Sequence, residues 1–262
     1  MALLARADLE SLLRARKLDR TLTSAFPVET TRDELAVAAT GIPSLDARLG
    51  GGFPRGQLSE VAGARSSGRT SLILRMLAAS TARGELATLV DALDMFDVPS
   101  ASAAGIDLER LLWIRGHVVT NPGMCRDLNQ RAVEQVIKAL TLVLQAGNFG
   151  LVVLDVAEAP RDALRRLPFT TWLRLQRIIE GSQTACVLMG GEPMARSSAG
   201  LTMNIGRGEL GVGSRSGVGS RDGIRFNGRL FEGFDINVRV VRARTHVHEE
   251  ATAAFTTVAL HV

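Results

Sequence analysis

Short runs of apolar residues alternate along the chain with longer segments in which apolar residues recur at helical spacing. Uninterrupted apolar runs are typical of strands buried in a parallel sheet, and amphipathic segments are typical of helices packed on its faces. The predicted strands are 57–62, 87–91, 111–114, 151–155 and 185–189, and the predicted helices between them are 72–79, 127–146 and 170–180. This alternation predicts an α/β fold with a mostly parallel sheet and helices on both faces.

The two ends of the chain depart from this alternation. Residues 2–17 carry leucines at helical spacing and predict an amphipathic helix, and 234–243 and 254–262 predict two late strands. Residues 207–229 combine glycine, serine and arginine, which predicts a flexible cationic loop with a solvated hairpin linker as the alternative. The predicted organisation is an N-terminal helix and arm over 1–38 and a core over 39–262.

The stretch from Gly63 to Ser71 has the spacing of a phosphate-binding loop, with Arg69 where that motif has lysine. A predicted strand precedes it and a predicted helix follows it, which is the context the motif requires. Glycines let successive backbone N–H groups face one anion, and the helix N-terminus adds its positive dipole end. A glycine-rich turn before a helix is the alternative. The candidate phosphate-binding residues are Gly63, Ser66, Ser67, Gly68, Arg69, Thr70 and Ser71.

Two further positions suit the chemistry of such a loop. Thr70 would place a hydroxyl on Mg²⁺, and Asp155 ends an apolar strand where the Mg²⁺-supporting acid of phosphate-loop proteins is found. Arg69 keeps the positive charge but changes its geometry, since guanidinium is a wide planar fork and an ammonium group is compact. Catalysis depends on tight positioning of the γ-phosphate. We therefore expect nucleotide binding with weak hydrolysis or none.

The charge, aromatic content and cysteine content of the chain bear on its partners and on its cellular compartment. The formal net charge is +4 and arginine supplies most of the cations, so a nucleic-acid partner is plausible. The chain has no tyrosine and only 4% aromatic residues, which disfavours an aromatic base-stacking platform. Two cysteines without metal spacing fit a reducing compartment, and no apolar run is long enough to span a membrane. A cytoplasmic location is the expectation.

An ordered series of motifs carries a family likeness. Its residues are Thr40-Gly41, Ser44-Leu45-Asp46, Leu49-Gly50, Pro54, Gly56, Glu60, Gly63, Ser66-Ser67-Gly68 and Thr70, then Val90-Asp91-Ala92, Gly105-Ile106-Asp107, Leu111-Leu112, Val152-Val153-Leu154-Asp155 and 238–244. This series resembles the RecA recombinase core, and the likeness covers residues 38–262.

The resemblance implies ATP and Mg²⁺ as ligands, single-stranded DNA as a partner, and late antiparallel strands at one sheet edge. It also implies that Arg242 and Arg244 reach a nucleotide bound by a neighbouring subunit; two charged residues on an exposed strand face are the alternative. The implied DNA loops are reduced to 160–168 and 192–198. The candidate DNA-contacting residues are Arg161, Arg165 and Arg166, with Arg215 and Arg221 of the cationic loop second.

Several departures from the RecA pattern bear on function. The position of the catalytic glutamate holds Leu93, and the neighbouring Asp94 is a displaced substitute. The adenine-stacking tyrosine aligns with Ser100, and the DNA-responsive glutamine falls in Gly190-Gly191. An apolar residue cannot orient or deprotonate the attacking water. This pattern of loss resembles the ImuA-type proteins, which imply an accessory role in the SOS damage response beside RecA or a translesion polymerase.

Two other functions stay open at this point. One is a DNA-stimulated ATPase or recombinase in which Asp94 replaces the missing glutamate. The other is a scaffold that joins protein partners without nucleotide.

Overall fold

The computed structural model describes residues 37–118, 126–195, 198–207, 224–227, 230–243 and 252–258. All of them belong to one compact unit of the chain, Thr31–Val262. The predicted helix over 2–17, the arginines Arg215 and Arg221, and Arg244 lie outside the described residues. None of the helices in the described part of the chain has both the length and the apolar composition needed to cross a lipid bilayer.

One large sheet dominates the fold. The strands are β1 (Val37–Ala38), β2 (Phe53–Pro54), β3 (Leu58–Gly63), β4 (Ala87–Asp91), β5 (Leu111–Arg115), β6 (Leu151–Asp155), β7 (Ala185–Gly190), β8 (Leu201–Arg207), β9 (Ile224–Asn227), β10 (Leu230–Ala243) and β11 (Thr252–Val258). The large sheet runs β11-β10-β8-β3-β7-β6-β4-β5, with β9 paired to β10, and β1 pairs separately with β2. The strands from β8 to β5 are parallel, while β10 is antiparallel to β8, β9 and β11. The predicted parallel sheet with antiparallel strands at one edge is therefore confirmed.

Helices cover both faces of this sheet. They are α1 (Pro43–Arg48), α2 (Arg69–Ala82), α3 (Val98–Ala103), α4 (Arg126–Ala146), α5 (Arg161–Arg165) and α6 (Phe169–Ile179), with a short 3-10 turn at Leu108–Arg110. Alternate residues of each strand face opposite sides. Val153 of β6 accordingly packs in the cluster that contains α2, while Val152 packs in the cluster that contains α4 and α6. Each predicted helix of the core thus has a buried apolar stripe against one face.

The structure adds strands that the sequence patterns did not predict. The parallel strand β8 lies beside β3, directly next to the strand that leads into the phosphate loop. Strand β9 lies inside the segment 207–229 and pairs antiparallel with β10, so residues 224–227 of that segment form a strand. Short strands beside glycine-rich sequence lack a long apolar run, and pairing with β10 supplies the hydrogen bonds that the local sequence does not signal.

Residues 160–168 also differ from the expected loop. Within them, Arg161–Arg165 forms the helix α5. Ala163 is buried against the α4 side of the core, which anchors this turn. The segment is therefore held in a defined conformation next to the carboxyl end of β6.

Candidate nucleotide site

The loop between β3 and α2 approaches its neighbours closely at Gly63. A Cβ atom added to Gly63 would lie 2.6 Å from the carbonyl oxygen of Ile205 and 2.6 Å from Oγ of Ser67. Real Cβ atoms do not approach other heavy atoms at that distance, so the loop in this conformation requires glycine here. The neighbouring strand β8 and the loop's own serine together leave no room for a side chain at this position.

The backbone of the loop curls as an anion site requires. Ser66 and Gly68 both have positive φ, 59° and 97°, and Gly68 is the N-cap of α2. Such left-handed residues turn successive N–H groups toward one side, and the first N–H groups of a helix have no partner within the helix. Among the described residues, the buried Oγ of Ser67 has no hydrogen-bond partner. The loop therefore offers donors that a phosphate oxygen would satisfy.

Arg69 is held inside the protein by two contacts. Its side chain is 8% exposed, and it donates to the carbonyl oxygen of Gly190 at 3.0 Å and to Oε1 of Glu158 at 2.8 Å. Glu158 is partly buried, with 29% of its side chain exposed. The guanidinium fork matches two acceptors at once, which an ammonium group would do less well. The cation at the lysine position is thus engaged by the protein itself.

Two carboxylates lie side by side where β4 and β6 end. Asp91 and Asp155 are register partners on these adjacent parallel strands. Asp91 accepts from the backbone N–H of Phe96 at 2.8 Å, and Asp155 accepts from the backbone N–H of Ala157 at 2.9 Å. Burial raises the pKa of Asp155, and the nearby Asp91 charge adds to the rise. A hard cation with oxygen ligands would relieve this repulsion.

Thr70 and Asp155 border one pocket of about 230 Å³, the strand-end pocket. Its lining comprises Arg69, Thr70, Ile73, Leu74, Leu89, Asp91, Leu93, Met95, Phe96, Asp97, Ser100, Asp155, Ala157 and Glu158. Within the described residues, no three His, Cys, Asp or Glu side chains form a ready-made metal site. Mg²⁺ is often held by one or two protein oxygens together with substrate phosphates, so the Thr70 hydroxyl and the Asp155 carboxylate fit that ion.

The strand-end pocket contains Leu93 but not Asp94. Asp94 adopts a positive φ of 58° and forms two 2.6 Å contacts with the guanidinium of Arg115. The hydrogen bond from Arg115 lowers the pKa of Asp94. Leu93 and Ser100 line the pocket with an alkyl group and a small hydroxyl. The role of Asp94 as a substitute base stays a prediction, and its side chain is engaged elsewhere.

A larger cavity of about 990 Å³, the loop-side cavity, opens on the other side of Arg69. Its lining comprises Gly63, Ala64, Arg65, Arg69, Ala157, Glu158, Ala159, Arg161, Leu164, Arg165, Leu167, Phe169, Trp172, Gly191, Glu192, Pro193 and Met194. Arg165 contacts Glu192 at 3.0 Å and Arg161 lies 3.9 Å from the same carboxylate. Arg166 is exposed and is not part of the lining. Two of the three first-ranked candidate DNA-contacting arginines therefore border this cavity.

Residues 23–163, more than half of the chain, match the RecA N-terminal domain. The chain belongs to the RecA N-terminal domain family. It is 40% identical over 131 residues to protein RecA of Prochlorococcus marinus strain MIT 9211, covering 50% of this chain and 32% of that protein. It is 35% identical over 122 residues to protein RecA of Chlorobaculum parvum, covering 46% of this chain and 31% of that protein. The matched part is therefore about a third of the length of these relatives.

The fold of this RecA-family chain is similar to a solved recombinase structure. The RadB recombinase superposes with a TM-score of 0.57 at 19% identity, covering 84% of this chain and 96% of that one. At this identity the comparison bears on the fold. It supports the sheet and helix arrangement described above.

Glu60 is a buried acid on the strand that leads into the phosphate loop, and no motif marked it for chemistry. It lies on β3 with 1% exposure and accepts the backbone N–H groups of Met194 and Ala195 at 2.6 and 2.5 Å. Its second oxygen accepts from Oγ1 of Thr202 at 3.3 Å. Burial raises the pKa of Glu60 against the opposing effect of these hydrogen bonds. Glu60 therefore holds the segment that follows β7 against the strand preceding the phosphate loop.

Arg242 lies in the same polar row. A bulge in β10 between Val240 and Arg242 shifts the register, so that Arg242 pairs with Thr202, whose own partner on β3 is Glu60. The positive charge of Arg242 favours the ionised form of Glu60. Arg242 is half-buried, and contact with a neighbouring subunit stays a prediction for it.

Only part of this arrangement had a signal in the sequence. An acid inside the short predicted strand that leads into the phosphate loop was a usable sign of a buried, hydrogen-bonded carboxylate at Glu60. Glu158 had no such sign, because it follows β6 in a segment of mixed polarity and its partner lies 89 residues away.

Proposed function

We propose that this chain is an ATP- and Mg²⁺-binding member of the RecA family that acts in DNA repair and recombination with weak hydrolysis. The observation that carries the proposal is the phosphate loop itself. Its tight Gly63, its curled backbone and the Ser67 hydroxyl, which has no hydrogen-bond partner in the described part of the chain, suit a phosphate chain. Gly68, Arg69, Thr70 and Ser71 continue the same loop into α2. Thr70 and Asp155 would hold Mg²⁺, which would neutralise phosphate charge when bound.

Weak hydrolysis follows from what stands beside the loop. Leu93 borders the strand-end pocket at the position where the family has its glutamate, and an alkyl group cannot polarise water. Arg69 is bound to Glu158 and Gly190 rather than extended toward a ligand. The site combines a suitable phosphate cradle with poorly suited catalytic groups.

DNA is the proposed macromolecular partner, in single-stranded form. Arg161 and Arg165 border the loop-side cavity and Arg166 is exposed beside them, so their guanidinium groups can reach a phosphodiester backbone. Arg215 and Arg221 would add contacts from the cationic loop. The names of the relatives, protein RecA and RadB recombinase, favour a role in recombination or repair.

Within that role, we favour an accessory factor of the SOS response that resembles the ImuA-type proteins. The altered Arg69, Leu93 and Gly190-Gly191 positions support a protein that binds nucleotide without driving strand exchange. Self-association, with Arg242 and Arg244 facing a neighbouring subunit, and contacts with RecA or a translesion polymerase belong to the same proposal.

The deciding experiment measures ATP affinity and ATP turnover in one preparation, with and without single-stranded DNA. Saturable Mg²⁺-dependent binding with turnover near background is the expected result. Gly68→Asp should abolish binding without unfolding the protein, as checked by circular dichroism. DNA-stimulated turnover at rates of several per second would replace the accessory role with that of an active ATPase. Absence of binding at millimolar ATP would remove the nucleotide proposal.

A second experiment tests the DNA surface. Replacing Arg161, Arg165 and Arg166 together by alanine should reduce the slope of log affinity against log salt by about 2, since each lost phosphate contact contributes roughly 0.7 on single strands. The matched control replaces three exposed arginines of the helices α4 and α6. They are Arg131, Arg174 and Arg177. Equal slopes for the two triple variants would contradict the assignment.

A further inference from the structure

The Arg69–Glu158 ion pair separates the two cavities of the candidate site. Arg69, Ala157 and Glu158 line both the strand-end pocket and the loop-side cavity. The loop residues from Gly63 to Arg65 face the larger cavity, whereas Thr70 and Asp155 face the smaller pocket. A phosphate chain seated on the loop and reaching the Thr70 hydroxyl must therefore cross the wall that this ion pair forms.

Arg69 presents little accessible surface to a ligand while the wall is closed. Its Nη1 and Nη2 atoms each donate to a protein acceptor, and only 8% of the side chain is exposed. A carboxylate and a phosphate oxygen are both anionic acceptors and compete for the same guanidinium fork. Phosphate contact requires the fork to turn away from Glu158.

Glu158 has a second cation within reach. Its Oε2 lies 3.9 Å from Nε of Arg65, whose side chain is 79% exposed at the rim of the loop-side cavity. When Arg69 leaves, the Glu158 carboxylate keeps a partner and is not stranded as an uncompensated charge. An exchange of partners is therefore sterically and electrostatically available.

We propose that Glu158 is a positioning residue that holds Arg69 out of the phosphate site, so that nucleotide binding must break the Arg69–Glu158 pair and join the two cavities. This inference rests on the proposed nucleotide binding. It also links the nucleotide to the segment after β7, because the same movement releases the carbonyl of Gly190, which immediately precedes residues 191–194 of the cavity wall. Glu158 thereby sets the affinity of the loop for phosphate.

The test is Glu158→Gln, with Glu192→Gln as the matched control. Glu192 borders the same cavity but contacts Arg161 and Arg165 instead of Arg69. The probe is a fluorescent ATP analogue with Mg²⁺, and inorganic tripolyphosphate serves as a probe without base or ribose. We expect Glu158→Gln to bind both probes about tenfold more tightly than the parent chain, since it loses a charge-assisted competitor. Glu158→Asp keeps a carboxylate at this position, so its affinity for the probes should lie within about threefold of that of the parent chain.

A purely structural role for Glu158 predicts a different change in nucleotide affinity. If the carboxylate only supports the local fold, Glu158→Gln would weaken binding or leave it unchanged, and either result in a chain that binds nucleotide overturns the inference. Tighter binding by Glu192→Gln of the same size would also overturn it, because the effect would then be general charge removal around the cavity.

A double-mutant cycle tests whether the effect of Glu158 on nucleotide affinity acts through Arg69. In an Arg69→Lys background the ammonium group loses the two-acceptor geometry, so adding Glu158→Gln should change affinity by less than about twofold. An undiminished effect in that background would overturn the inference. If neither the parent chain nor Glu158→Gln nor Arg69→Lys binds either probe, the nucleotide proposal fails as well. If the parent chain binds and only the Glu158 effect is missing, the nucleotide proposal stands alone.

Discussion

Replacing Glu60 by alanine should destabilise the protein strongly. This holds even though burial of the carboxylate is itself unfavourable and raises the pKa of Glu60. The buried oxygen of Glu60 accepts the backbone N–H groups of Met194 and Ala195, and both donors lose their acceptor in the variant. An orphaned buried donor costs about 1–3 kcal/mol, so two donors cost about 2–6 kcal/mol. Removal of a desolvated carboxylate returns part of this cost. We expect a net loss of about 2–4 kcal/mol in the free energy of unfolding.

Glu60→Gln separates hydrogen bonding from charge. Its amide oxygen can still accept both N–H groups, so the loss at pH 7 should stay near 1 kcal/mol. The folded-state pKa of Glu60 is raised above its ordinary value of 4.5, so the folded chain holds this proton more strongly than the unfolded chain. The resulting stability is present below pH 4.5 and is lost as the pH rises through the folded-state pKa. The parent chain should therefore lose stability relative to Glu60→Gln as the pH rises from 4.5 through the folded-state pKa of Glu60.

Urea denaturation followed by circular dichroism measures both effects, with the exposed Glu109→Ala as control. A Glu60→Ala variant within about 0.5 kcal/mol of the parent chain, the range of ordinary surface substitutions, would refute the assigned hydrogen bonds. A difference between parent and Glu60→Gln that stays constant with pH would refute the raised pKa.

Three further experiments test other parts of the structure. Gly63→Ala should lower the affinity for ATP at least tenfold, because the added Cβ would meet a backbone carbonyl; parent-like affinity measured by fluorescence titration would contradict this. Burial raises the pKa of the Cys186 thiol to about 12, so a thiol reagent at pH 8 should label it only after unfolding, and rapid native labelling seen by peptide mass spectrometry would count against that. Arg55→Lys should lower the free energy of unfolding in urea by about 2–3 kcal/mol, because Arg55 donates to three backbone carbonyls and to Glu85. The control Arg110→Lys, at a more exposed arginine, should lower it by less than about 0.5 kcal/mol.

The sequence by itself determined the features whose physical causes are local. Apolar runs placed most core strands to within a residue, because a strand buried on both faces needs little beyond a continuous apolar stretch. The glycine spacing from Gly63 to Gly68 marked the phosphate loop, since only particular residues allow its backbone turns. Asp91 and Asp155 are the last residues of their strands, so their common edge was predictable from parallel pairing alone.

Tertiary structure decided which groups from distant parts of the chain meet around the candidate site. Arg69 finds Glu158 far along the chain, and Glu60 finds the backbone of residues 194–195. A one-residue bulge turns Arg242 onto the face of Glu60, and no alternation pattern records such a shift. These contacts join distant segments through packing and hydrogen bonds whose geometry depends on the whole sheet. The sequence thus marked where phosphate could bind, while the fold determined what already holds its arginine.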